Sequence, residues 1–230
     1  MVRSTSSLPP QSAEDAVLPS STIRARSGRD LIFGDYQFFD EMMGTHVKGN
    51  LVRARSRYIR ERYGFSTLMS VADALPPAAR GYLLEPPLVS SWVKAGPMYE
   101  IDRAIIEGPM RGDIAEMFEF GANIAMYDLP NIYKVVLTML SRPSFLMRRL
   151  GMVFGMYFKE GVMTADSDEG KAMVTLSDRV LPLYMCSYGV SGWFAASVET
   201  YGIKEKRVTH LNCRHRGHAK CNWVVTWSQR

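Results

Sequence analysis

The stretch VTHLNCRHRGHAKCNWVVTW, residues 208–227, decides the fold of the C-terminal third of the chain. It holds three of the four histidines and two of the three cysteines, Cys213 and Cys221. On either side of the polar turn RHRGHA lie short runs rich in β-branched and aromatic residues, which is typical of antiparallel strands. We therefore predict a β-hairpin from KEKRVTHLNC to KCNWVVTW, with a cysteine on each side of its turn.

Two further elements precede this hairpin. In LPLYMCSYGVSGWFAASVETYG, residues 181–202, apolar side chains recur at steps of three and four, which predicts a helix that ends at Gly202 and turns Cys186 inward. Residues 152–178, MVFGMYFKEGVMTADSDEGKAMVTLSD, contain the polar turn ADSDEG between apolar runs. They predict a second pair of strands.

The first half of the chain is predicted to be helical. Helical spacing of apolar residues occurs in 51–64, 98–108 and 114–130, and the last helix is expected to stop before Pro130. The predicted fold class is α+β: a helical N-terminal half, then hairpin–helix–hairpin forming a small antiparallel sheet. Residues 1–30, rich in Ser, Pro and Arg, are predicted to be a disordered tail. We expect 31–45 to be a docking or dimerisation segment and 46–230 to be a ligand-binding domain.

Composition excludes several classes of function. The 230 residues are 47% hydrophobic and contain no apolar run of membrane-spanning length, so we expect one domain and no membrane partner. An odd number of cysteines without a secretory signal indicates a cytoplasmic protein with reduced thiols. The net charge is +5, but the basic residues are scattered along the chain and no nucleic-acid-binding motif is present. No catalytic residue set or dinucleotide loop is present, so the chain is more consistent with a binding protein than with an enzyme.

Four side chains form a candidate metal site: Cys186, His210, Cys213 and Cys221. Three thiolates and one imidazole are a closed ligand set for structural zinc. Because residues 210 and 213 differ by an odd step, they can bind one ion only if the strand ends or bulges between them. Alternatives remain open for the cysteines: a Cys213–Cys221 disulfide, inert buried thiols, or a reactive thiol activated by the cationic turn. For the imidazole ligand, His215 or His218 could take the place of His210.

The strings CSYGVSGWFAASVETYG and RVTHLNCRHRGHAKCNW resemble the 4-vinyl reductase domain, the sensor half of phenol-responsive bacterial transcription activators. That family is related to trafficking-particle (TRAPP) subunits and to haem-NO-binding domains. The three cysteines match the family's cysteines and Gly217–His218 its turn, whereas His210 stands where the phenol sensors carry glutamate. The resemblance implies a structural zinc. The upstream half resembles a myxobacterial paralogous family of unknown function.

The resemblance also implies a cytoplasmic sensory module that binds a small hydrophobic or aromatic ligand, signals through a partner protein and forms a homodimer. We expect a pocket between helices and sheet, lined by Trp92, Phe118, Tyr127, Phe154, Tyr157, Tyr188 and Trp193. An enzyme or carrier of tetrapyrrole metabolism and a structural dimer module like the TRAPP subunits are the alternatives. Haem is not expected, because no histidine lies between His46 and His210 to supply an axial ligand.

Overall fold

The computed structural model describes residues 32–137 and 143–228, and the side chains of 128–137 are outside that description. The fold is α+β, with a helical first half followed by a small antiparallel sheet, as the sequence predicts. The tail predicted for residues 1–30 lies outside the described residues. Within the described part of the chain, no helix combines the length and apolar character needed to cross a membrane.

The helices are numbered in chain order. They are α1 Phe39–Gly44, α2 Gly49–Tyr63, α3 Phe65–Asp73, α4 Pro77–Leu84, α5 Ala95–Glu107, α6 Met117–Leu137, α7 Pro143–Arg148, α8 Leu150–Tyr157 and α9 Val190–Glu199. Short 3₁₀ turns cover Tyr36–Phe38, Ile114–Glu116 and Arg214–Arg216. A single π-helical turn, Met185–Gly189, leads directly into α9.

The strands form two sheets. The first is a small ribbon in which β1 His46–Lys48 pairs antiparallel with β2 Trp92–Lys94. The second has four strands in the order β3-β4-β6-β5, where the strands are β3 Val162–Asp168, β4 Lys171–Ser177, β5 Lys206–Asn212 and β6 Cys221–Trp227. All neighbouring strands are antiparallel, so each predicted hairpin contributes a pair and β4 joins β6 at the centre.

The hydrophobic core lies between the packed helices and between the helices and the sheet. In α2 the residues Leu51, Val52, Tyr58 and Ile59 are buried, following the steps of three and four that predict this helix. The helix ends at Gly64, whose φ of 88° is readily adopted only by glycine. In β6 buried and half-buried residues alternate, and Trp223 is fully buried at its centre.

Two local predictions are wrong. Helix α6 does not stop before Pro130 but continues to Leu137, because a proline can be retained in a helix that tertiary packing supports at the cost of one backbone hydrogen bond. Residues 150–157 are helical, whereas the sequence predicts a strand from Met152. That run is apolar at nearly every position, so its periodicity does not distinguish a helix from a strand.

Residues 32–44 pack against the C-terminal half of the domain. Ile32 and Phe33 belong to the buried core. The ring of Phe38 lies edge-on to the His215 imidazole, with centroids 5.6 Å apart, and the guanidinium of Arg214 lies 4.9 Å from the centre of the same phenyl ring. The segment proposed as a docking element therefore contacts the turn between β5 and β6.

Candidate functional site

Three elements bring the predicted metal-binding side chains together. The π-helical turn supplies Cys186, β5 supplies His210, and Cys213 and Cys221 lie on either side of the last turn. The Cys186 sulfur is 3.3 Å from that of Cys221 and 3.8 Å from that of Cys213, and His210 Nε2 is 3.6 Å from the Cys186 sulfur. All four donor atoms lie within 4.8 Å of one another. This spacing suits one tetrahedrally coordinated ion.

A bulge in β5 makes this convergence possible. The β5–β6 register shifts between His210 and Asn212, so Leu211 is the extra residue. The bulge offsets the odd step from 210 to 213 and directs both side chains to the same cluster. The His210 ring then stacks on Trp223 at 4.8 Å and 10°, while its Nδ1 is buried with no hydrogen-bond partner among the described residues.

Burial and the hydrogen bonds within the cluster shift the pKa values of the three thiols in different directions. Burial and hydrogen bonds to its neighbours raise the pKa of Cys186 well above that of a free thiol. Hydrogen bonds from Cys186 and Cys213 lower the pKa of Cys221 against the effect of burial. The hydrogen bond with Cys186 lowers the pKa of Cys213, but the one with Cys221 and burial outweigh it and raise that pKa to about 11.

The two alternative histidines lie outside the cluster. His215 Nε2 is 2.7 Å from the carbonyl oxygen of Leu181, and its Nδ1 accepts a hydrogen bond from the backbone of Asp35, so both ring nitrogens are engaged. His218 is exposed, with Nδ1 3.2 Å from the Cys213 carbonyl oxygen. No described cysteine pair is bonded as a disulfide.

A second feature is an apolar cavity of about 90 Å³ between α2, α6, α8, the start of β3 and the π-helical turn with α9. Met185 and Gly189, at the two ends of that turn, both line it, so Cys186 lies between two lining residues. The remaining lining residues are Leu51, Arg55, Met117, Phe120, Gly121, Ile124, Leu150, Val153, Phe154, Tyr157, Phe158, Met163, Val190, Trp193 and Phe194.

Three of the seven aromatic residues proposed for the pocket line this cavity: Phe154, Tyr157 and Trp193. The other four lie elsewhere. Trp92 is on the β1–β2 ribbon with the Lys48 ammonium 4.1 Å from its ring centre, and Tyr127 is 49% exposed under the Arg57 guanidinium. Phe118 and Tyr188 are half-buried outside the lining. In α6 the cavity face is made by positions 117, 120, 121 and 124, a helical stripe that excludes 118.

A buried ion pair borders the cavity. Arg55 Nε and Nη2 donate to the two carboxylate oxygens of Asp102 at 2.9 and 2.8 Å, and Arg55 Nη1 donates to the Leu51 carbonyl at 2.7 Å. The Tyr184 hydroxyl donates to Asp102 at 2.6 Å. Burial first, and then the Asp102 carboxylate, raises the pKa of Tyr184 well above the ordinary value, so its hydroxyl keeps the proton.

A second buried arginine lies near this pair. Arg179 Nη2 donates to the Tyr99 hydroxyl at 3.1 Å and to Thr45 Oγ1 at 2.8 Å, while Nη1 is 3.4 Å from Glu160. Neither arginine is predicted by the sequence. Nothing in the sequence indicates that Arg55 pairs with Asp102, 47 residues away. The basic run at 53–62 has the composition of a solvent-exposed helix face.

Comparison with known proteins identifies the class of fold. No family model and no curated protein matches the chain. Solved structures do match: Fe(II) unliganded H-NOX protein from K. algicida has a TM-score of 0.61 at 8% identity, covering 80% of this chain and 97% of that one. The H-NOX domain of Shewanella oneidensis matches in its Fe(II)CO state, with a TM-score of 0.60, 14% identity and coverage of 80% and 99%. In the Fe(II)NO state an H-NOX protein from S. oneidensis has a TM-score of 0.56, 13% identity and coverage of 79% and 99%.

The chain therefore has the fold of H-NOX domains, and two predictions need correction. The resemblance to the 4-vinyl reductase domain and to TRAPP subunits is wrong, since solved structures that match this chain along most of its length are H-NOX proteins. The prediction of structural zinc as the cofactor is contradicted as well, because the proteins that share the fold are described with Fe(II). The Cys186–His210–Cys213–Cys221 cluster itself is present.

The fold family implies haem, but the residues of this cavity do not fit it. None of the four histidines of the chain lines the cavity, and neither does a cysteine. The lining offers only the thioethers of Met117, Met163 and Met185 and the phenol of Tyr157 as candidate axial ligands. The volume of about 90 Å³ is also far below the roughly 300–1,000 Å³ of ordinary ligand and cofactor pockets.

Proposed function

We propose that this chain is a small-molecule-binding sensory domain that takes a small hydrophobic ligand into the apolar cavity and signals through a partner protein. The observation that carries the proposal is the position of the cavity at the junction of the helical half and the sheet. A ligand there contacts α2, α6, α8 and the π-helical turn at once. Neighbours of the same fold are described in Fe(II)NO and Fe(II)CO states, which supports small-molecule binding as the activity of the fold.

The size of the cavity limits the ligand. An apolar cavity of about 150 Å³ in a protein interior accommodates benzene, so a cavity of about 90 Å³ suits a molecule of a few heavy atoms. Larger monocyclic ligands require the lining to move. The flexible side chains of Met117, Met163 and Met185 can provide such movement. A tetrapyrrole is much larger than this space, so the tetrapyrrole-carrier alternative has no support in the geometry.

The cysteine cluster belongs to the same proposal. Cys186, His210, Cys213 and Cys221 are proposed to bind one thiolate-preferring metal ion, with all four positions of a tetrahedron filled by protein. Such an ion would hold the π-helical turn to the last hairpin and would leave no open position for catalysis. Its role would be to fix one wall of the cavity, since Met185 and Gly189 flank Cys186.

Methionine-methyl NMR tests ligand binding directly. We would label the chain with ¹³C-methyl methionine and titrate it with 2-methylpropene, an uncharged branched hydrocarbon of a few heavy atoms that suits the volume of the cavity. The methyl signals of Met117, Met163 and Met185 should shift, whereas that of Met152, which is 47% exposed on α8, should not. If no signal from the cavity methionines responds, the proposed function is wrong.

A cavity-filling variant provides the control. Val153→Phe places an aromatic ring in the cavity and should abolish the shifts. Val89→Phe makes the same chemical change at a residue that is 58% exposed and outside the lining, and should bind like the natural chain. Equal binding by the two variants would place the ligand outside this cavity.

A further inference from the structure

Arg55 is the one charged residue among the described residues that line the cavity. Its side chain is 1% exposed, and the Asp102 side chain is 0% exposed. The rest of the lining is carbon and thioether sulfur, apart from the tyrosine hydroxyl and the indole N–H. The Arg55 guanidinium lies 5.0 Å from the ring centre of Phe120, which also lines the cavity, and each unpaired buried N–H donor on it is unfavourable.

Two N–H donors of Arg55 have no hydrogen-bond partner among the described residues. A guanidinium has five N–H groups. Nε and one N–H of Nη2 donate to Asp102, and one N–H of Nη1 donates to the Leu51 carbonyl. One N–H on each terminal nitrogen therefore has no hydrogen-bond acceptor among the described residues. Since the side chain is 1% exposed, bulk water does not reach these donors freely.

The charge around Arg55 limits what can accept from it. Asp102 neutralises the guanidinium through two parallel hydrogen bonds, and the Tyr184 hydroxyl holds that carboxylate in place. A ligand carboxylate would bring a second negative charge into a water-poor site whose positive charge is already matched, and it would have to lose its hydration as well. An uncharged oxygen has neither penalty and can still accept a strong hydrogen bond from a charged donor.

We propose that Arg55 determines the ligand specificity of the cavity by donating its two remaining N–H groups to the oxygen of a small, uncharged, otherwise hydrophobic molecule such as a ketone. This inference rests on the proposed function, because it assumes that the cavity binds a ligand. It adds the chemical class of the ligand: a mostly apolar molecule with one uncharged hydrogen-bond acceptor. Hydrocarbons of the same shape bind more weakly, and carboxylates are excluded.

Three probes of matched shape test the proposal on the full natural chain. Acetone and 2-methylpropene have the same number of heavy atoms and differ in whether the double-bonded terminal atom is an oxygen or a carbon, and acetate has the same size and planar shape but carries a charge. We expect the ketone to bind at least about tenfold more tightly than the hydrocarbon, because a buried donor rejects an analogue that lacks its acceptor. The carboxylate should show no binding in the methionine-methyl titration.

The outcomes separate the two proposals. Equal affinity for ketone and hydrocarbon, or tightest binding of the carboxylate, overturns the role of Arg55 and leaves the ligand-binding function standing. Absence of binding by all three probes overturns both. Because this comparison uses the natural chain, it does not depend on a variant that folds.

A paired variant then assigns the preference to Arg55. Arg55→Met with Asp102→Asn removes both buried charges together, so neither is left unpaired. It should bind the hydrocarbon and lose the preference for the ketone, with an affinity ratio near one. Arg53→Met removes an exposed charge on the same helix, whose Nη1 contacts the carbonyls of Pro86 and Pro87, and should keep the full preference. A preference retained in the paired variant would rule out Arg55 as its source.

Discussion

The Nδ1 atom of His215 accepts a hydrogen bond from the backbone N–H of Asp35 at 3.1 Å, although 180 residues separate the two. On the other side of the ring, Nε2 is 2.7 Å from the Leu181 carbonyl oxygen, which can only accept. The imidazole is thus neutral, with its proton on Nε2. Burial lowers the pKa of His215, which favours this neutral form. One ring thereby connects residues 32–44, the segment before the π-helical turn, and the last turn.

Replacing His215 should release the N-terminal segment. In His215→Ala the Asp35 amide loses its acceptor and Phe38 loses the ring it packs against. We expect faster amide hydrogen exchange in residues 32–44, measured by mass spectrometry, with the rest of the domain little changed. Arg216→Ala, at an exposed position of the same turn, should leave the exchange unchanged. Equal exchange in the natural chain and in His215→Ala would show that this contact does not hold the segment.

Metal binding should depend on His210 and not on His218. Co²⁺ bound by three thiolates and an imidazole gives intense visible absorption, so it reports the cluster without assuming the natural metal. Cys213→Ser should lose that absorption, and His210→Ala should weaken Co²⁺ binding strongly. His218→Ala, which changes an exposed ring, is the matched control. Should the His218 variant lose the ion while the His210 variant keeps it, the proposed ligand set is wrong. Elemental analysis of the untreated protein would identify the natural metal.

The buried ion pair should be sensitive to loss of one partner. Asp102→Asn leaves the Arg55 guanidinium buried without a counter-charge, so the free energy of unfolding should fall by about 3–5 kcal/mol. Glu107→Gln disrupts an exposed pair with Arg103 and should cost less than about 1 kcal/mol. Urea denaturation of the two variants measures both values. Similar losses would mean that the Asp102 carboxylate is better solvated than its burial indicates.

The elements that the sequence predicts correctly are those whose residues are rare or periodic. Cys186, His210, Cys213 and Cys221 can be grouped because thiols and imidazoles are scarce in this chain, and the last hairpin follows from its strand-forming runs and polar turn. The Arg55–Asp102 pair cannot be predicted, since pairing across two helices depends on tertiary packing. The sequence does not predict helix α8, because a run that is apolar at nearly every position shows no hydrophobic periodicity. The prediction of zinc rests on the chemistry of the four ligands together with the 4-vinyl reductase resemblance, which is an analogy with a short motif. The fold comparison contradicts both the zinc and the resemblance.

The crossing of α6 and α9 depends on glycines that admit no side chain. A Cβ at Gly192 would lie far inside van der Waals contact of the Phe118 carbonyl oxygen, and one at Gly121 would meet the Gly189 carbonyl in the same way. Because both obstacles are backbone atoms, the helices would have to separate. Gly192→Ala should therefore lower the free energy of unfolding by at least about 1–3 kcal/mol, measured by urea denaturation.

A glycine in α8 gives the opposite expectation and serves as the control. Gly155 is exposed, and a methyl group added to its Cα would meet no other atom within 4 Å. Gly155→Ala should therefore stabilise the chain by up to about 1 kcal/mol through helix propensity alone. If Gly192→Ala also stabilised the chain, the close crossing would be wrong. Gly121 in α6 and Gly189 in the π-helical turn, which both line the cavity, would then have to lie farther apart. The volume available to a ligand would then be larger than about 90 Å³.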